Sequence, residues 1–250
     1  MSGHSKWANI KRRKAVVDAQ KGKTFSRLLR EVAVAARQGG ANPEANFRLK
    51  TAMEKARAAN IPNDNIQRAV QRAASGSEGA NLEEILYEGY GPGGTAILLE
   101  ILTDNRNRTA GDIRHLFTKH GGNLGESGCV AWMFERRGVL RLSTSPVPDE
   151  DELTMAALEA GADDLEREDD TWLVYTPAEE LEPVRRKLEA AGIPSQEADF
   201  TYVPRSTVRV AGEEAQRLLR LVEALEDHDD VQALHSNFDI PEEELAQFPG

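Results

Sequence analysis

Cysteine is almost missing from this sequence: Cys129 is the single example in 250 residues. No disulfide can form within the chain, and a metal site built mainly from thiolates is excluded. A lone thiol is compatible with a reducing compartment, and a cytoplasmic location is the expectation. Long hydrophobic runs are missing too. The longest, TAILLEIL (95–102), is broken by Glu100, whereas a membrane-crossing helix needs ~20 apolar residues. No membrane partner is expected. The N-terminus lacks the apolar core of a secretory signal. Its lysine bias, with Gly3 and Asn9, speaks against a transit peptide.

Recognisable catalytic patterns are also absent. The five histidines, His4, His115, His120, His228 and His235, include no His-Glu-x-x-His pair. EDHDD (226–230) has no alternating ligands and no glycine of a calcium loop. It reads as a solvated helix end, although carboxylates there oppose the helix dipole. KGKT (21–24) resembles the end of a phosphate-cradling loop, but the required earlier glycine is Val17. GYGPGG (89–94) and GGNLGESG (121–128) read as tight turns and a helix end, where glycine supplies positive φ. No Gly-x-Ser-x-Gly elbow occurs. Cys129 falls in an apolar stretch, where a thiol is buried and inert. The expectation is a protein that is no enzyme, with no cofactor, no metal and no small-molecule substrate.

What the sequence does have is charge, divided unevenly. The net charge is -11, but residues 1–75 hold 16 Lys and Arg against 5 Asp and Glu, a net +11. The other 175 residues hold 15 against 37, a net −22. The basic part opens with GHSKWANIKRRK (3–14), which contains no acid. Such a segment suits a polyanion, because each Lys or Arg that neutralises a phosphate releases counterions. The candidate contacts are His4, Ser5, Lys6, Trp7, Lys11, Arg12, Arg13 and Lys14, extended by Lys21, Lys23, Arg27 and Arg30. Trp7 either stacks on an unpaired base or anchors the arm to its own domain. Arg27, Arg30 and Arg37 lie off the apolar stripe and are expected to face solvent. In TDNRNRT (103–109), Arg106 and Arg108 flank Asn107 between a strand and a helix and form a candidate second contact. The asparagines, Asn105 or Asn107, are expected to cap that helix.

Periodicity organises the rest. Phe25, Leu28, Leu29, Val32 and Ala36 form one helical face, stopped by Gly39-Gly40. Asn42-Pro43 is expected to open a second helix, and a third follows NIPNDN with a stripe of Ile66, Ala69, Val70 and Ala73. After a linker by composition at 75–81, two β-leaning runs joined by Gly-Pro-Gly-Gly predict a hairpin. A helix follows, then strands at 128–134 and 138–144. A helix carrying Leu153, Ala157 and Leu158, strands at 171–177 and 197–204, and a helix between them predict a further layer. A long helix with Leu218, Leu221, Val222 and Leu225 and a strand at 231–240 would return to the middle domain. The expected fold class is α+β: an N-terminal three-helix domain with its basic arm (1–75), a middle α+β domain (76–144 with 205–240), an inserted α+β domain (145–204) and a tail (241–250).

Several of these stretches carry a resemblance: the whole of residues 3–69, YEGYGPGG, LTDNRNRT, GGNLGESGCVAWMF, EAGADD and DHDDVQALHSNFDI. Together they resemble the YebC/PmpR family, which includes mitochondrial translational activators, over roughly residues 2–240. The resemblance implies three domains, one inserted in another. It also implies a non-catalytic role in gene expression, as a DNA-binding transcriptional regulator or as a ribosome-bound translation factor that relieves stalling. It further implies that His4, Ser5, Lys6, Trp7, Lys11 and Lys14 contact nucleic acid. At Gln20 many members carry arginine.

The preferred partner is ribosomal RNA on the ribosome. A localised basic, Trp-bearing arm suits folded RNA with unpaired bases, whereas a body at −22 would repel a long duplex. Duplex DNA is the alternative, and a protein-interaction scaffold the second alternative.

Overall fold

In a computed structural model, residues 18–75, 82–143, 149–168 and 171–248 are described. The arm at 1–17 and most of the linker at 75–81 lie outside the described residues. The first described elements are three helices, α1 (Asp18–Gly39), α2 (Phe47–Ala58) and α3 (Asn63–Ser75). They bury Val32, Ala35, Ala36, Leu49, Met53, Ala56, Ile66 and Val70 in a common core. The three apolar stripes account for this core, since an i, i+3, i+4, i+7 spacing places them along one side of each helix.

The α1–α2 corner differs from the sequence expectation. Asn42 does not cap α2. Its Oδ1 accepts from the Glu44 N–H in a local turn, and α2 starts four residues later. The cap is the buried Asn46, whose Oδ1 accepts from the Leu49 N–H at 3.1 Å. Its Nδ2 donates to the carbonyls of Ala35 and Gly40, both at 2.8 Å. One amide thus closes the end of α1 and the start of α2, a double role that only an interior position allows.

Beyond the linker come β1 (Glu83–Tyr90), β2 (Ala96–Thr103), α4 (Arg106–Lys119), β3 (Asn123–Leu124) and β4 (Phe134–Ser143). Next are α5 (Glu150–Ala160), β5 (Asp164–Glu168), β6 (Thr171–Pro177), α6 (Leu181–Ala190) and β7 (Glu197–Pro204). The chain closes with β8 (Val208–Arg209), α7 (Gly212–Glu226), β9 (Val231–Ser236), β10 (Phe238–Asp239) and α8 (Glu242–Gln247). The expected hairpin forms: β1 pairs antiparallel with β2 from Glu83↔Thr103 to Tyr90↔Ala96. Its turn holds Gly93 and Gly94 at φ 73, a conformation that a Cβ would strain.

The chain divides into two compact units, Met1–Phe134 with Pro204–Gly250, and Glu135–Val203. In the first, an antiparallel sheet of order β3-β1-β2-β9 turns Ile97, Leu99 and Ile101 toward Ile113 and Phe117 of α4 and Leu218, Leu221, Val222 and Leu225 of α7. Residues near the C-terminus, read as a tail from sequence, form α8 and bury Leu245 and Phe248 in this core. The second unit is a sheet of order β5-β6-β4-β7 with α5 and α6. Leu153 and Ala157 are buried there as expected, but Leu158 is exposed. The fold is therefore α+β, helices first and sheet-bearing parts after.

Residues 131–133, expected within a strand, form a short 3-10 turn, and β4 begins at Phe134. The cause is Glu88. Its buried carboxylate accepts the N–H groups of Gly128, Val130 and Ala131 at 2.6, 2.8 and 2.7 Å. Backbone donors converging on one carboxylate cannot also serve a strand ladder.

Candidate nucleic-acid interface

The arm residues His4, Ser5, Lys6, Trp7, Lys11, Arg12, Arg13 and Lys14 lie outside the described residues, as does the side chain of Lys21. Lys23, Arg27 and Arg30 stand on α1. Lys23 is exposed, while Arg27 and Arg30 are half-buried rather than facing solvent as expected. Arg37, in the last turn of α1, is exposed.

Between α1 and α3 runs a groove of about 510 Å³. Leu29, Ala33, Val34, Ala69, Ala73 and Leu82 give it an apolar floor, and Arg30, Arg37, Arg68 and Arg72 line it. Among the described residues, its lining includes no acidic one. Arg68 is steadied by the Asp64 carbonyl and by Asn65 Oδ1 at 2.7 Å. Among the described residues, neither Arg37 nor Arg72 has an ion-pair partner. Sequence reasoning singled out neither Arg68 nor Arg72. Their spacing of four on a helix whose stripe is Ile66, Ala69, Val70 and Ala73 places both beside the apolar face. That signal was readable, as were Arg30 and Arg37 on α1, but not that the two rows face one groove.

The proposed second contact belongs to a different arrangement. Asn105, and not Asn107, caps α4: its Oδ1 accepts from the Arg108 N–H at 3.1 Å. Arg106 is exposed on the first turn. The Arg108 guanidinium donates to Asp104 Oδ1 at 2.9 Å and to Asp230 Oδ2 at 3.1 Å. Asp230 is buried. Its Oδ2 also accepts from the hydroxyls of Thr109 at 2.7 Å and Thr103 at 3.3 Å, and its Oδ1 lies 3.4 Å from Arg30. Arg30 and Arg108 are thus brought to one carboxylate. Burial alone would raise the Asp230 pKa. The hydrogen bonds from Thr109 and Arg108, with the charges of Arg108 and His228, outweigh burial and hold it below the usual value. The acidic run at 226–230 is accordingly not a wholly solvated helix end.

Elsewhere, Cys129 is half-buried in the turn that Glu88 organises, and burial, with the Glu88 charge second, raises its thiol pKa. Among the described residues, no group of three His, Cys, Asp or Glu side chains could hold a metal ion. No described helix is long and apolar enough to cross a membrane.

Three helices with an arginine-lined groove, followed by sheets carrying pairs of helices, define a class of α+β protein with a basic helical segment. Two family models match this chain: "TACO1/YebC protein N-terminal domain" over residues 5–76, and "TACO1/YebC second and third domain" over residues 82–238. The chain belongs to the TACO1/YebC family. A protein of Pelotomaculum thermopropionicum is 56% identical over 96% of this chain and 99% of its own. One of Symbiobacterium thermophilum is 54% identical over 95% and 98%. Both are named as probable transcriptional regulatory proteins. The crystal structure of a conserved hypothetical protein from Aquifex aeolicus is similar at a TM-score of 0.84 and 50% identity, covering 91% of this chain and 93% of that one.

Proposed function

We propose that the protein is a non-enzymatic, nucleic-acid-binding regulator of gene expression. In this reading it acts as a translation factor that holds ribosomal RNA through its basic N-terminal segment and relieves stalled translation. The contacts are the arm residues His4 to Lys14 named above, then Lys21, Lys23, Arg27 and Arg30, with Arg37, Arg68 and Arg72 along the groove. The observation that carries the reading is that groove: four arginines and, among the described residues, no acid on the lining, within the part of the chain that holds +11. Phosphates neutralised there release counterions. Confinement of the basic charge to one segment favours local engagement of folded RNA over tracking along a duplex. Arg106 is better placed for a second contact than Arg108, whose guanidinium is engaged by Asp104 and Asp230.

The names of the relatives favour a second reading, regulation of transcription on duplex DNA. Sedimentation with ribosomal subunits at near-physiological salt, beside gel shifts on promoter and random duplexes, separates the two. Co-sedimentation is the expected result. Absence from the ribosome with sequence-selective DNA binding would overturn the RNA reading, and absence of both would point to a protein-interaction scaffold.

A further inference from the structure

Helix α7 ends at Glu226 and runs into Asp227, His228, Asp229 and Asp230. Four carboxylates gather where the helix dipole is already negative, an arrangement that calls for counter-charge. Beside Arg108 of α4, which holds Asp230, counter-charge comes from α1. Lys23 Nζ lies 3.5 Å from the Asp227 carbonyl and 3.8 Å from Asp229 Oδ1. Arg30 donates to the Asp229 carbonyl at 3.3 Å and to Asp230 Oδ1 at 3.4 Å. Lys23 and Arg30 are seven residues apart, two helical turns on one face, and they grip the two ends of the acidic turn.

We infer that the turn 227–230 fills, in the free protein, an anion-binding position made by Lys23 and Arg30, and that RNA phosphate competes with it there. The inference rests on the RNA-binding reading and adds its regulation. Two features make the turn an exchangeable occupant. First, its outer contact is long and wet: the Lys23 and Asp229 side chains are 65% and 67% exposed, so salt and a better anion displace it readily. Phosphate offers a full charge, several acceptor oxygens and the release of its own counterions. Second, Asp230 is not stranded when Arg30 leaves. Arg108, Thr109 and Thr103 continue to hold its buried carboxylate, so exchange leaves no bare charge in the interior. RNA binding would then untie α1 from the end of α7, coupling occupancy of the basic segment to the rest of its unit.

The test is fluorescence anisotropy of a labelled ribosomal RNA fragment with the full chain at about 0.1 M salt, where charges within ~10 Å still interact. Asp227→Asn with Asp229→Asn removes two of the turn's charges and leaves the buried Asp230 in place. Affinity should rise about twofold to fivefold, the range expected of one exposed pair, Lys23–Asp229, with the Asp227 charge beside it, and the gain should shrink as salt is raised. Glu213→Gln with Glu214→Gln makes the same change in net charge at the opposite end of α7 and should alter affinity by less than about twofold. An equal gain in that control, or unchanged or weaker binding by the aspartate variant, would overturn the inference while leaving the RNA reading intact. No binding by the wild type would overturn both.

Discussion

Asp230 and Glu88 are buried carboxylates kept ionised by donors rather than by solvent. Glu88 has its pKa pushed up by burial and, more strongly, down by the N–H groups of Gly128, Val130 and Ala131, with a net lowering. Asp230 is lowered through Thr109 and Arg108 against the same opposing burial. A carboxyl whose folded pKa lies below its unfolded value of about 4 stabilises fully above that value. The stabilisation fades as the pH falls through the folded value. The urea midpoint should therefore drop between about pH 5 and pH 3, and Asp230→Asn should start lower and change less across that window. Asp230→Ala should cost about 2 kcal/mol, since Arg108 and two threonine hydroxyls lose an acceptor. Glu88→Ala should cost a similar amount, about 2–3 kcal/mol. It should also speed hydrogen exchange at Gly128, Val130 and Ala131, which a remote destabilisation would not single out.

At the scale of elements, the caps and the groove carry the sharpest expectations. Asn105 accepts from the Arg108 N–H, whereas Asn107 lies inside α4. Asn105→Ala should lower stability by about 1 kcal/mol and Asn107→Ala by less than about 0.5 kcal/mol. Asn46 serves two helices at once, so Asn46→Ala should reach the upper end of the capping range, about 2 kcal/mol. Denaturant unfolding of the three variants checks the order. Across the groove, Arg37→Ala with Arg72→Ala should weaken RNA binding and reduce the slope of log K against log salt by about 1–2, without moving the thermal midpoint. An unchanged slope would remove the groove from the interface. Capping by an asparagine near residue 105 was legible from composition, but choosing between two asparagines two residues apart depends on where the backbone turns. At α2 the sequence points to Asn42-Pro43, and the interior position of Asn46 decides otherwise.

At the scale of the whole molecule, the unit Glu135–Val203 interrupts a chain that continues on either side of it. Arg205 N–H donates to the Met133 carbonyl at 2.8 Å, so the two crossing points are adjacent. Among the described residues, the cluster built around Ile97, Phe117 and Leu218 is drawn entirely from the surrounding unit. Joining Phe134 to Pro204 through a short glycine linker should leave a protein that unfolds in one cooperative transition, measurable by circular dichroism. A molten or uncooperative product would mean the units fold together.

Helix stripes, the β1–β2 hairpin with its glycines, the α+β class and the split of +11 against −22 all follow from the sequence by itself. Each depends on neighbours a few residues apart or on simple counting. The tertiary structure decided which distant groups meet: Arg68 and Arg72 across from α1, Glu88 drawing residues 128–131 out of a strand, and Asp230 reached by Arg30 from 200 positions away. Such pairings depend on chain packing that brings buried carboxylates within hydrogen-bond distance of their donors, and no local pattern encodes them.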